Sequence, residues 1–247
     1  MNWHKGKRAI ARAIRLDLTH QQEHYAHCLE EYVHPGDRWL DIGCGHDILP
    51  DWAMPLQSQE ALVQSVNCLV GLDLDDSMLR HAHLTHRVWG NGEALPFRDA
   101  SFDIVTANMV VEHIEHPQNL LSSIAKVLRP GGRFLFVTPN VLCPYLLAAW
   151  LMPEPIKRPI VRFLESRRDE DIFPTRYRMN KLSVIAQMAE QTGFATEELK
   201  TVGSCGELDR LGPLSWAECL VLKGLQSSFD GILQPDIIAV LKKRDIV

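Results

Sequence analysis

Five short apolar runs, spaced through the first 140 residues by helix-like or turn-rich stretches, constrain this chain more than any other feature. Arg38–Ile42, Asn67–Leu72, Arg87–Trp89, Phe102–Ala107 and Arg133–Val137 read as strands. Helical patterns fall at Asp76–Leu84 and Pro117–Leu128, the second closed by Arg129-Pro130-Gly131-Gly132. Strands that are apolar on both faces and alternate with helices belong to a parallel sheet covered on both sides. Residues 5–33 repeat apolar positions at helical spacing (Ile10, Ala13, Ile14, Tyr25, Leu29, Val33) and stop at His34-Pro35-Gly36. Residues 1–36 are therefore expected to be a helical extension, with one α/β domain over 37–247. After Pro139 the rhythm changes. Residues 141–180 are rich in apolar, aromatic, Pro and Arg residues and show no strand pattern. The alternation then resumes: a helix at Lys181–Thr192, a strand through Leu199–Val202, a helix near Ser215–Gln226 and a strand at Ile237–Leu241.

With 247 residues, 46% of them hydrophobic, the chain can bury a core without staples. A net charge of −5 argues against a nucleic-acid backbone as its main partner. The six cysteines (Cys28, Cys44, Cys68, Cys143, Cys205, Cys219) form no CxxC pair, so reduced, mostly buried thiols are expected rather than disulfides or a zinc ribbon. The first fifteen residues are Arg-rich and acid-poor, as in a transit peptide, but the helical pattern runs on to Val33. The expectation is a cytoplasmic protein.

The sharpest local signal is Leu40-Asp41-Ile42-Gly43-Cys44-Gly45, where the first strand ends and a helix is expected to start. Glycines there let the backbone turn sharply and approach a ligand closely. A dinucleotide-binding GxGxxG turn would need its third glycine at position 48, which is Ile48. An acid two places before the first glycine suits S-adenosylmethionine instead, whose cationic amino group needs a carboxylate and not a phosphate nest. Gly71-Leu72-Asp73-Leu74-Asp75 ends the second strand. Asp73 is placed to accept both hydroxyls of a ribose, while Asp75 and Asp76 start the next helix.

These motifs, with Gly90-Asn91-Gly92-Glu93-Ala94-Leu95-Pro96-Phe97, Ser101-Phe102-Asp103, Val111-Glu112-His113 and Leu128-Arg129-Pro130-Gly131-Gly132 in order, resemble the class I S-adenosylmethionine-dependent methyltransferases. The resemblance is to the branch that includes the ubiquinone-pathway enzymes, and is strong over Arg38–Asn140. It implies a Rossmann-like, seven-stranded, mostly parallel sheet with helices on both faces, a final antiparallel strand and, at about 141–180, a helical lid insertion. It implies S-adenosyl-L-methionine as cofactor. Gly43, Gly45 and the Cys44 backbone would line its methionine moiety, Asp41 would hold the amino group through water, and Asp73 would bind the ribose. Asn91 would meet the adenine amino group where the family usually has Asp, Gly92 and Glu93 would flank the ring, and Asn108 with Met109 would face the methyl-transfer centre. Two departures stand out. The third glycine of the DxGxGxG turn is Asp47, expected either to take left-handed backbone or to reshape the turn. Asp41 and Asp73 are also unusually far apart, which places an insertion at residues 50–66.

His113 is the candidate catalytic base for an acceptor that must lose a proton; a structural role for the Glu-His pair is the alternative. Metal-using relatives carry Glu-x-x-Glu-His, but Met109 occupies the first Glu position, so no metal is expected. His20, His24 and His27 share a helix face and are read as solvated. The apolar stretch Leu142–Met152 is too short to span a bilayer and is followed by Lys157, Arg158, Arg162, Arg167 and Arg168. Residues 141–180 are read as a lid over a small or lipid-like acceptor, with Arg176 and Arg178 reaching its pocket; peripheral membrane contact through 141–168 is the alternative. Oxygen is the expected acceptor atom. A nicotinamide-linked oxidoreductase, opposed by Asp41 and Ile48, and a catalytically idle S-adenosylmethionine-binding module, which Asp47 makes conceivable, are the rival readings.

Overall fold

The computed structural model describes residues 10–17, 19–153, 174–203, 215–227 and 231–245. Seven strands form one sheet: β1 (Arg38–Ile42), β2 (Cys68–Asp73), β3 (His86–Trp89), β4 (Phe102–Asn108), β5 (Leu128–Pro139), β6 (Phe194–Val202) and β7 (Asp236–Lys243). Their order is β3-β2-β1-β4-β5-β7-β6. The first five strands run parallel, and β7 lies antiparallel between β5 and β6. This is the Rossmann-like, mostly parallel sheet expected from the sequence. The chain winds outward from β1 to β3 and then crosses back to β4. Order reverses between β1 and β4, and in open α/β sheets the ligand crevice lies at that switch, beyond the C-terminal strand ends.

The helices are α1 (Gln21–Tyr32), α2 (Leu56–Ser65), α3 (Pro117–Val127), α4 (Pro144–Leu151), α5 (Leu182–Gln191) and α6 (Ser215–Ser227). Alternate strand residues point to opposite faces, and each face builds its own core. Leu40, Ile42, Val105, Phe134 and Phe136 pack with Leu120, Leu121 and Ile124 of α3 and Ile185 of α5. Trp39, Ile104, Leu135, Val137 and Val240 pack on the other side with Tyr25, Ala26 and Leu29 of α1. The N-terminal helix thus covers the sheet centre.

α1 is capped by His20, whose Nδ1 accepts from the Gln22 amide at 3.2 Å while the His20 amide donates to Glu23 at 2.8 Å. His20 is consequently not on a solvated face: its ring meets Trp52 edge-on at 4.7 Å, and burial holds it neutral, pushed down to about 4. Residues 10–13 form a separate helical turn before it.

Three local expectations are corrected. No helix starts at the glycine turn; residues 43–55 form turns and bends, and α2 begins only after Pro55. α2 itself occupies the expected insertion and was not foreseen. Its Gln59 donates to the carbonyls of Leu49 and Met54 at 2.9 and 2.8 Å, tying the preceding loop down. The expected helix at Asp76–Leu84 is a single 3-10 stretch, Asp76–Arg80, capped by Asp75. Pro144 opens α4, where its fixed φ and missing N–H cost nothing. The five cysteines among the described residues are not joined in disulfides, and four of them are buried; Cys205 lies outside those residues.

His81 is fully buried below β2, and its Nε2 has no hydrogen-bond partner among the described residues. Burial lowers it from 6.5 to about 4, with the His83, Arg87 and His46 charges adding and Asp47 opposing. The unfolded chain therefore takes up protons first as pH falls. Stability from the neutral ring is complete above pH 6.5 and is lost as pH drops through 4. Urea midpoints measured against pH should decline below 6.5, and decline less steeply in His81→Asn, which keeps an acceptor for the His83 amide but cannot titrate.

Candidate functional site

The site is assembled from the C-terminal ends of β3, β2, β1 and β4, neighbours in that order. At its base Asp41 and Thr106 are register partners across β1 and β4. Asp41 is buried, and its Oδ1 accepts from the Thr106 hydroxyl at 2.6 Å. That hydroxyl in turn accepts from Trp39 Nε1 at 2.7 Å. Thr106 thus donates to Asp41 while it accepts from Trp39, as a hydroxyl can. Burial pushes the Asp41 carboxyl up to about 7; the Thr106 bond opposes this and the charge of Asp73 adds to it.

Beyond Asp41 the backbone turns through Gly43 and Gly45, with φ of 66° and 50°. A Cβ on Gly43 would also lie 2.3 Å from Val110 Cγ2, whereas one on Gly45 would meet open space. The Gly43 amide donates to the Leu72 carbonyl at 2.7 Å, and the Gly45 amide to Asp73 Oδ2 at 2.9 Å. Asp73 Oδ1 accepts from the Asp75 amide at 3.0 Å. The glycine turn and the second-strand carboxylate, separate in sequence, are thus joined directly. Asp47 does not have left-handed backbone. Cys44 is buried, which raises its thiol far above the ordinary range.

Two expected adenine neighbours have local partners. Asn91 caps the 3-10 turn Gly92–Ala94 by accepting from the Glu93 amide at 3.0 Å. Glu93 Oε1 accepts from the amides of Glu115 and His116 at 3.1 and 3.2 Å, holding the entry to α3. Gly92 is buried against Ile42 and Leu120, close to β1. Asn108 ends β4 and pairs with Gln22 of α1 by two hydrogen bonds, 3.0 and 2.8 Å. Met109, next to it, takes φ 56°, a left-handed conformation uncommon outside glycine.

A second polar cluster lies at the end of β5. Glu112 is buried; its Oε2 accepts from Thr138 at 3.0 Å, and its carbonyl accepts from the amides of Arg176 and Tyr177. His113 Nδ1 lies 3.1 Å from the Pro174 carbonyl. A carbonyl only accepts, so Nδ1 carries the proton and Nε2 is the basic nitrogen of the neutral ring. Asn180 Nδ2 donates to Thr138 and to the Pro139 carbonyl, and the Val141 amide donates to the Asn180 carbonyl at 3.1 Å. Residues 141–180 therefore leave and return through one hydrogen-bonded neck. Residues 154–173, including Lys157, Arg158, Arg162, Arg167 and Arg168, lie outside the described residues. Arg176 and Arg178 are exposed and share Glu115, at 2.7 and 3.4 Å. Among the described residues no three His, Cys, Asp or Glu side chains are grouped to hold a metal ion, and no helix is long and apolar enough to cross a membrane. A polar depression beside His34, Asp37 and Arg133 opens at the opposite edge, where strands begin, and is separate from the site.

Sequence reasoning missed Thr106, Val110 and Gln22. A hydroxyl inside the apolar run Phe102–Ala107 was the available sign for Thr106. Gln22 gave none, because its partner is 86 positions away.

The two glycines predict unequal costs. Left-handed backbone penalises Ala at either site by ~1–2 kcal/mol, and overpacking against Val110 adds about 1–3 kcal/mol at Gly43 alone. Denaturant melts should show Gly43→Ala less stable than Gly45→Ala, with Val110→Ala narrowing the gap.

Residues 40–136 match a family model described as a methyltransferase domain. Malonyl-(acyl-carrier protein) O-methyltransferase from Erwinia billingiae is 35% identical over 133 residues, 52% of this chain and 49% of that protein. A ubiquinone biosynthesis O-methyltransferase from Thiobacillus denitrificans is 27% identical over 175 residues, 66% of this chain and 67% of that one. The chain spans about half the length of several curated relatives it matches. Among solved structures, the YcgJ protein from Bacillus subtilis superposes with a TM-score of 0.54 over 92% of this chain and 100% of that one, at 20% identity, a likeness of fold. Over residues 40–136 the chain is thus similar to methyltransferase domains.

Proposed function

We propose that this protein transfers the methyl group of S-adenosylmethionine to an oxygen of a small or lipid-like acceptor. The observation that carries the reading is the joining of a glycine turn to two carboxylates, Asp41 beneath it and Asp73 bonded to the Gly45 amide. Two carboxylates suit an ammonium group and a ribose diol; they would repel the pyrophosphate of a nicotinamide dinucleotide. The bound cofactor supplies an electrophilic methyl on a sulfonium. In this reading Asp41 holds the amino group, Gly43, Cys44 and Gly45 lie along the methionine chain, and Asp73 takes the ribose. Asn91, Gly92 and Glu93 border the adenine, and Asn108 lies toward the reacting methyl. Asp47 sits in ordinary backbone, which supports a working turn over an idle binding module.

Transfer from a sulfonium is an in-line displacement, in which holding the nucleophile in line does most of the work. An oxygen acceptor that carries a proton needs a base, and His113, with Nε2 as its basic nitrogen, is that candidate. The relative from Erwinia billingiae is named for O-methylation of a malonyl group, which supports oxygen as acceptor atom. Residues 141–180 serve as the lid, since their neck stands at the C-terminal end of β5. Closing there would exclude water and orient an apolar acceptor, with Arg176 or Arg178 meeting an acidic group. Peripheral membrane contact through 141–168 is the second reading, favoured by the exposure of Leu147 and Leu151 on α4.

Calorimetry with S-adenosylhomocysteine and NAD, followed by methyl transfer to a panel of carboxylate and phenol acceptors, tests the reading; binding of NAD alone would end it. Asp73→Ala should remove a charge-assisted bond of ~1.5–3 kcal/mol, a loss of roughly ten- to hundredfold in S-adenosylhomocysteine affinity, in a protein that stays folded by circular dichroism.

The carboxyl of Asp41 adds a pH dependence. Its folded value, about 7, exceeds the ordinary 3.8, so in the free protein the stability of the neutral form is complete below 3.8 and lost as pH rises through 7. Binding an ammonium group needs the ionised form. S-adenosylhomocysteine affinity should be level above pH 7 and fall by up to about tenfold per pH unit below it. Asp41→Asn should flatten that profile.

A further inference from the structure

The first turn of α1 reaches the C-terminal edge of the sheet at two points on either side of the glycine turn. His20 packs edge-on against Trp52 in the loop that follows β1. Gln22 joins Asn108 at the end of β4, each amide donating to the other, at 3.0 and 2.8 Å. Asn108 follows Ala107, the register partner of Ile42, so it stands beside Gly43. The next two residues are the left-handed Met109 and Val110, whose side chain packs on Gly43. From Gln22, through Asn108, the chain runs straight to the residue that shapes the methionine end of the site. The ribose and adenine end is built from β2 and β3 and has no contact with Gln22 among the hydrogen bonds described.

We propose that Gln22 is a positioning residue of the cofactor site: its amide pair with Asn108 fixes the end of β4 and so the shape of the pocket around the amino-acid half of the cofactor. The proposal rests on the methyl-transfer reading. An Asn side chain at a strand end has several rotamers, and two reciprocal hydrogen bonds select one of them. Removing Gln22 frees Asn108 and loosens the Met109–Val110 step against Gly43. The cost falls on ligands that carry the amino-acid chain and not on those that carry only the nucleoside.

Two ligands separate these halves without knowledge of the acceptor: S-adenosylhomocysteine, and 5′-methylthioadenosine, which lacks the amino-acid group. Calorimetry on wild type, Gln22→Ala and the length-preserving Gln22→Met, each checked for folding by circular dichroism, provides the test. The expected result is about tenfold weaker S-adenosylhomocysteine binding in both variants, with 5′-methylthioadenosine affinity held within about twofold. Gln22→Glu, which still accepts from Asn108 Nδ2, should recover part of the loss, and in an Asn108→Ala background Gln22→Ala should add nothing. Equal weakening of both ligands would reduce Gln22 to general packing, and unchanged binding of both would remove it from the site; either overturns the proposal alone. A wild-type protein that binds neither ligand would overturn the methyl-transfer reading and this proposal with it.

Discussion

One buried hydroxyl, that of Thr106, sets the centre of the sheet and the floor of the site together. Asp41 has no cation beside it in the described structure, and an ionised carboxyl in such a place is expensive to bury. Thr106 offers it a 2.6 Å hydrogen bond from the neighbouring strand. The same oxygen takes the indole N–H of Trp39, so two residues of β1 are tied to β4 at one atom, and Tyr25 of α1 is buried in the same cluster as Trp39. One bond donated and one accepted tie the two central strands by side chains as well as by backbone.

Above that floor the working surface is made of strand ends, where backbone direction changes and side chains are not obliged to pack. Gly43 and Gly45 turn the chain there, and Val110 closes on Gly43 so tightly that no Cβ fits. The Asp73 carboxylate is held by two amides, which in the proposed reading orients it before a ligand arrives and saves that ordering cost. The end of β5 follows a different principle. Glu112, Thr138 and Asn180 form a buried polar chain that pins both ends of the 141–180 excursion at β5. Closing a long loop by its ends costs little more than closing a short one, so the neck is stable whatever its length.

The strand pattern was legible because parallel strands buried on both faces need continuous apolar runs, and β1 at Arg38–Ile42 fell on the expected residues. Where the reading failed, local preference had been overruled or had no voice. Asp76–Leu84 has a helix-like composition, yet only five residues coil, because Arg87 draws the carbonyls of Met78 and His81 toward itself. α2 sits in a stretch read as an insertion; Leu62 and Val63 pack on the core, and the buried Gln59 bonds to loop carbonyls that have no sequence signature.

The sequence by itself determined the alternation of elements, the glycine turn with its acid, and the order of the motifs, since each depends on residues within a few positions of one another. Only the tertiary structure decided what those residues do to each other. Asp73 meets Gly45 across 28 positions, Asp41 meets Thr106 across 65, and Gln22 meets Asn108 across 86. Hydrogen bonds of that reach are set by strand order and helix docking, which follow from burying both faces of the sheet at once and leave no trace in local spacing.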